Sequence, residues 1–103
     1  MAIKKQKVKD KPKTKVTFTI PKEIAKDFKK AVLVGDFNSW DQKATPMNKS
    51  KKNGSFSKSI ELDNNAEYEF RYLLDDNTWL NEEQADKHVP TYFLDSENSV
   101  IIL

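Results

Sequence analysis

Few side chains in this 103-residue sequence have the chemistry that catalysis needs. The one histidine, His88, stands in a polar stretch with no recognisable motif around it, so we expect a solvated loop residue. The acidic pairs Asp75-Asp76 and Glu82-Glu83 fall in expected turns or loops, where carboxylates commonly make local hydrogen bonds. Neighbouring carboxylates without an apolar setting also lack the environment that would make one an acid and the other a base. We therefore predict that the chain is not an enzyme and has no catalytic residues.

The sequence also shows no motif for binding a cofactor or a metal ion. With no cysteine and only two glycines, the sequence has no thiolate ligand, no phosphate-binding glycine loop and no nucleophile elbow. Asp36, Asn38 and Asp41 are oxygen donors in one short segment, but the spacing and the terminal glutamate of a calcium loop are missing. We predict no cofactor and no metal.

Two tryptophans carry a sharper signal. Trp40 lies among Asn38, Ser39 and Asp41, and Trp79 follows directly after the polar segment 75–78. An indole in a polar loop can simply cover one end of the apolar core of a β-sandwich domain. Two of them beside amides and carboxylates also suit a sugar, whose apolar ring face stacks on an aromatic platform while its hydroxyls meet polar groups. Covering one pyranose face removes about 100 Å² of apolar surface, worth about 2–3 kcal/mol before the costs of association. The expected binding is weak and multivalent.

The elements that must position these residues are strands. Period-two alternation, β-branched and aromatic residues and frequent turn signals, among them Asn53-Gly54, predict about seven short strands. They fall near residues 16–20, 31–34, 45–49, 56–62, 67–74, 78–80 and 98–103, with a polar loop over 81–97 and an ordered loop over 22–30. The expected fold is all-β, an immunoglobulin-like antiparallel β-sandwich.

Alternation also predicts which side chains face the core. In the strand over 67–74, Tyr68, Phe70, Tyr72 and Leu74 share one face, which places Arg71 on the opposite face, away from the core. The expected core contains Val16, Phe18, Val32, Val34, Phe56, Ile60, Phe70 and Tyr72. The last strand adds either Val100 and Ile102 or Ile101 and Leu103; all four are apolar, and the pattern does not choose between the pairs.

Charged residues are distributed unevenly along the chain. Residues 1–15 contain seven lysines and one aspartate, whereas residues 16–103 carry a net charge of −4. The tail has too little apolar content to offset its ordering entropy, so we predict a disordered lysine-rich tail over 1–13 and a domain over 14–103. The tail is either a solubility segment or linker, or it binds nucleic acid or acidic lipid. The mildly acidic domain makes nucleic acid the weaker alternative.

The same composition indicates the cellular compartment of the protein. The longest apolar runs are four residues, so we expect neither a transmembrane helix nor a signal peptide. The absence of cysteine favours the cytoplasm.

The segment Val32-Leu33-Val34-Gly35-Asp36-Phe37-Asn38-Ser39-Trp40 resembles the "G-x-F-N-x-W" motif of glycogen-binding domains, with its apolar strand ahead of it. These domains, carbohydrate-binding module family 48, occur in the AMP-activated protein kinase β subunit and ahead of branching enzymes and isoamylases. Later segments agree in order: Pro46-Met47, Gly54-x-Phe56, the run 68–75 with its "Y-x-F-x-(F/Y)" pattern, Trp79 and the closing strand from Asn98. The similarity spans residues 14–103.

The resemblance implies a site as well as a fold. It places Trp40 and Trp79 as stacking platforms and Arg71 as a donor to sugar hydroxyls. The sugar-contacting loop before the last strand corresponds to Leu94, Ser96 and Asn98. The function that follows is non-catalytic binding of α-1,4-linked glucans such as glycogen, maltooligosaccharides or cyclodextrins, by a chain that acts alone in the cytoplasm.

One alternative has the same fold. The sandwich could instead dock a glycogen-metabolism enzyme or a regulatory protein, with the tryptophans in a protein interface, since aromatic residues suit either role.

Overall fold

The computed structural model describes residues 2–91 and 96–103, and within them two antiparallel sheets face each other. The first sheet has the order β1-β2-β5-β4, and the second has the order β3-β6-β9-β8, with β7 also paired to β6. The strands are β1 (Ala2–Lys7), β2 (Lys13–Ile20), β3 (Ala31–Gly35), β4 (Asn48–Lys49), β5 (Phe56–Asp63), β6 (Glu67–Leu74), β7 (Thr78–Leu80), β8 (Lys87–Pro90) and β9 (Glu97–Ile102). The predicted all-β, immunoglobulin-like sandwich is confirmed, with nine strands in the described residues where about seven were expected.

The other regular elements are short. The segment expected as an ordered loop contains a single helical turn, α1 (Lys22–Ala25), and a 3₁₀ turn over Asp36–Asn38 follows β3. Within residues 2–91 and 96–103, no helix has the length and apolar character that crossing a membrane requires.

The N-terminal segment differs from its prediction. Where a disordered tail was expected, Ala2–Lys7 forms β1 and pairs along β2, from Ala2 opposite Thr19 to Lys7 opposite Thr14. The Ile3 side chain packs against the core. Composition predicted disorder because this segment has few apolar residues, but the unpaired edge of β2 supplies backbone partners and a site for Ile3.

The expected polar loop over 81–97 also contains structure. It contains β8, which pairs with β9, and His88 is exposed on β8. Glu82 is fully buried rather than solvated: the Tyr72 hydroxyl donates to its Oε1 at 2.8 Å, and the Gln84 N–H donates to its Oε2 at 2.9 Å. Burial, reinforced by the charge of Glu82 and the hydrogen bond to it, raises the pKa of Tyr72 far above its usual value.

The core between the sheets follows the predicted alternation in β2, β5 and β6. Val16, Phe18, Phe56, Phe70 and Tyr72 are buried in one cluster, and Ile60 packs against it partly buried. The two open choices for the last strand are also decided. Ile101 is buried in the core with Leu103 packed against it, whereas Ile102 is 44% exposed.

Strand β3 departs from the prediction. Val32 and Val34 are buried, but they cluster with Leu73 and Trp40 on the outer face of the second sheet. Their neighbours Ala31 and Leu33 belong to the core cluster instead. A run of apolar residues has no alternation to tell its two faces apart, so the sequence could not assign them.

Candidate functional site

An open groove of about 750 Å³ lies along the outer face of the second sheet. Its lining comes from the turn after β3 and from β6, β7, β8 and β9, and comprises Trp40, Gln42, Glu69, Arg71, Trp79, Val89, Pro90, Thr91 and Asn98. We call it the tryptophan groove. It contains four of the six residues predicted as a site: both tryptophans, Arg71 and Asn98.

A tight turn after β3 delivers Trp40 to the groove. Ser39 and Trp40 both have left-handed backbone angles, with φ of 57° and 59°. The Asn38 amide stabilises this turn by accepting from the Gly35 N–H at 3.1 Å and donating to the Leu33 carbonyl at 2.9 Å. Gly35 must lack a side chain, because a Cβ there would lie 2.6 Å from the Glu69 carbonyl oxygen. Gly35 and Asn38 of the motif therefore determine the orientation of the Trp40 indole.

The Trp40 ring is supported on two sides. Its Nε1 donates to Asp36 Oδ1 at 2.9 Å, and its ring packs against the cluster of Val32, Val34 and Leu73. A ring held in this way loses little conformational freedom when a ligand stacks on it.

Trp79 reaches the groove from β7. It lies directly opposite Leu73 in the β6–β7 pairing and is 42% exposed. The sequence placed it after a polar turn, and the structure adds a short strand that fixes its side on the outer face.

A hydrogen-bonded network forms the polar part of the site. Arg71 Nε donates to Asn98 Oδ1 at 2.6 Å, and Arg71 Nη2 donates to Ser96 Oγ at 3.0 Å. Asn98 Nδ2 in turn donates to Glu69 Oε1 at 3.0 Å. These groups are partly buried. The Asn98 amide links the positive charge of Arg71 to the negative charge of Glu69.

The predicted residues therefore have different outcomes. The structure brings Ser96 to Arg71, although Ser96 is not part of the groove lining, and Leu94 lies outside the described residues. Sequence reasoning missed Glu69, which shares the outward face of β6 with Arg71 and could have been found by the same alternation. It also missed Gln42 in the turn, Val89 and Pro90 of β8, and Thr91 directly after β8, the last three because residues 81–97 were expected to be a loop.

The described residues offer no arrangement for a metal ion. No group of three His, Cys, Asp or Glu side chains comes together in residues 2–91 and 96–103. The carboxylate of Asp36 accepts from Trp40 and from the Glu69 N–H, which fixes the turn against β6.

One comparison with known proteins identifies a family. The family model for carbohydrate-binding module 48 (isoamylase N-terminal domain) matches residues 7–88, which include both tryptophans and Arg71. A search of curated proteins finds no match. The family is one of carbohydrate-binding modules rather than of catalytic domains. The fold, the groove and a match over most of the chain lead to one conclusion: this chain belongs to the carbohydrate-binding module 48 family.

Proposed function

We propose that the tryptophan groove binds α-1,4-linked glucans, such as glycogen and maltooligosaccharides, without chemical change to them. The observation that carries the proposal is the placement of two indoles and a guanidinium in one open groove. The choice of an α-linked glucan comes from the resemblance to glycogen-binding domains.

The groove offers complementary partners to a sugar. Each indole can cover an apolar pyranose face, a gain of about 2–3 kcal/mol that the ordering of a flexible glucan partly offsets. Arg71 uses Nε and Nη2 in the network, and its Nη1 has no hydrogen-bond partner among the described residues. Within the described residues, both N–H groups of Nη1 are therefore available to donate to sugar hydroxyls.

The same proposal assigns the chain a compartment and a partner. It acts as a non-catalytic module in the cytoplasm, with a neutral glucan rather than nucleic acid or a membrane as its ligand. The predicted domain over residues 14–103 contains every groove residue that the structure describes.

Native affinity electrophoresis tests the proposal. We expect the chain to be retarded in gels that contain glycogen or amylose and to run freely in gels with a β-linked glucan. A Trp79→Ala variant should lose the retardation, while Lys58→Ala, a change in the other sheet, should keep it. Equal mobility in every gel would reject glucan binding and leave the docking of a protein partner as the use of the groove.

A further inference from the structure

We propose that Glu69 is a positioning residue of the tryptophan groove, which holds Asn98 and, through it, Arg71 in the orientation that a ligand meets. The inference rests on the proposed function and adds to it a residue that neither the sequence motif nor the resemblance assigned.

The Asn98 amide has two chemically different ends. Its nitrogen donates to Glu69 Oε1 at 3.0 Å, and its oxygen accepts from Arg71 Nε at 2.6 Å. A carboxylate only accepts hydrogen bonds, so it selects the amide nitrogen as its neighbour and turns the oxygen toward the guanidinium. Without Glu69 the Asn98 nitrogen loses its acceptor, and only the Arg71 N–H still selects the amide oxygen, so the amide is held less firmly.

The side chain of Arg71 is long and has many rotamers, and ordering it at the moment of binding would reduce affinity. The bonds to Asn98 and Ser96 hold the guanidinium in place before a ligand arrives. The orientation of Asn98 therefore decides whether Nη1 already points where a hydroxyl can use it.

Glu69 is itself held in place through its backbone. Its backbone N–H donates to Asp36 Oδ2 at 2.8 Å, and the other oxygen of Asp36 accepts from Trp40 Nε1 at 2.9 Å. Residue 69 thus lies at the centre of a continuous chain of hydrogen bonds that runs from the Trp40 indole to Ser96. This position links the stacking platform to the polar donors.

The chain's composition supplies a direct readout. Arg71 is the only arginine in the sequence, so a ¹⁵N-labelled sample gives a single arginine Nε–H signal. We expect this proton to be protected from exchange with water in the sugar-free protein. Glu69→Ala should remove most of that protection, and Glu69→Gln should restore it, because the glutamine amide oxygen can accept from Asn98. A matched control is Glu67→Ala, on the same strand and face, where the carboxylate pairs with Lys87 at 2.7 Å.

Calorimetric titration with maltoheptaose gives the second readout. Glu69→Ala should weaken binding by about 3- to 10-fold, the worth of one hydrogen bond. Glu69→Gln and Glu67→Ala should stay within about twofold of the unmodified chain. If Glu69 acts through Asn98, adding Glu69→Ala to Asn98→Ala should cause less than about twofold further loss.

Two results would overturn the proposal: an arginine signal unchanged by Glu69→Ala, or losses from Glu69 and Asn98 that add in full. Thermal melts accompany each variant, and Glu69→Thr replaces the alanine change if that variant does not fold. If the unmodified chain binds no maltoheptaose, the proposed function fails, but the arginine signal still decides whether Glu69 positions Arg71.

Discussion

Trp40 and Trp79 line the same groove but have different supports. Trp40 is hydrogen-bonded to Asp36 and covers Val32, Val34 and Leu73, so it belongs to a small apolar cluster as well as to the groove. Trp79 stands on a three-residue strand and is 42% exposed. Replacing each indole should therefore have the same kind of effect on binding and unequal effects on stability.

We expect Trp79→Ala and Trp40→Ala each to weaken maltoheptaose binding by about 1–3 kcal/mol, because each removes a stacking surface. Trp79→Ala should lower the free energy of unfolding by less than about 1 kcal/mol, whereas Trp40→Ala should lower it by about 1–3 kcal/mol by uncovering its cluster. Sugar titrations followed by tryptophan fluorescence, run beside urea unfolding, measure both quantities. Equal losses of stability would contradict the different supports.

The buried pair of Tyr72 and Glu82 gives a second test at this scale. Tyr72→Phe removes the hydroxyl that donates to the buried carboxylate and should cost about 1–3 kcal/mol of unfolding free energy. Tyr68→Phe is the matched control, since its hydroxyl bonds the Asp63 carbonyl oxygen at an exposed position and its loss should cost less than about 1 kcal/mol. Urea unfolding curves compare the two. A larger loss for Tyr68→Phe would contradict the importance of the buried pair.

At the scale of elements, β1 and the groove lie on different sheets. β1 extends the first sheet along β2, whereas the groove is lined by residues of the second sheet and of the turn after β3. Stability and ligand binding should therefore respond differently to the loss of β1.

Deleting residues 1–7 removes the β1 ladder and the packing of Ile3, and should lower the free energy of unfolding by about 2 kcal/mol. Binding to maltoheptaose should stay within about twofold, because no residue of β1 lines the groove. Chemical denaturation and calorimetry on the shortened chain measure the two effects. Unchanged stability would show that the segment is unpaired in solution, as its composition alone suggested.

An ion pair links β1 of the first sheet to Asp86, which directly precedes β8 of the second sheet. Lys5 of β1 donates to Asp86 Oδ2 at 2.6 Å, and the same oxygen accepts from the Ile102 N–H at 2.7 Å. Partial burial raises the pKa of Asp86, but the hydrogen bonds from Lys5 and Ile102 and the charge of Lys5 outweigh it, so the pKa is lowered overall.

The sign of the resulting pH dependence follows from this lowered pKa. The contribution of Asp86 to stability is fully present above the unfolded-state pKa of about 4 and is lost as the pH falls through the lower folded-state value. The difference in unfolding free energy between the unmodified chain and Asp86→Asn should therefore shrink as the pH falls below about 4. Urea unfolding across this range measures it. A difference that stays constant would contradict the role of the Lys5–Asp86 pair.

The charge of the ligand determines how strongly its binding depends on salt. A glucan is neutral, so its binding should change by less than about twofold between about 50 and 500 mM salt, although lysines crowd the N-terminal strand. If those lysines bound nucleic acid, the affinity would instead fall steeply over the same salt range, because counterion release drives such binding. Calorimetry with maltoheptaose and with a short DNA duplex separates the cases. Affinity that is confined to the duplex would reject the glucan proposal.

Features that depend on local chemistry were predictable from the amino-acid pattern alone. Alternation in β6 identified the core side and placed Arg71 on the opposite face, and the Gly35–Trp40 motif identified the turn that carries the first indole. These features were predictable because period two and turn chemistry act between near neighbours in the chain.

Features that depend on distant partners in the chain could be assigned only from the folded arrangement. The face of β3 that turns inward, the choice of Ile101 over Ile102, and the pairing of β1 all depend on what the opposing strand or sheet offers. The same holds for the network of Glu69, Asn98 and Arg71, whose members lie up to 29 residues apart in sequence. A contact of that kind forms only when β9 pairs beside β6, and no local pattern encodes which side chains will then meet.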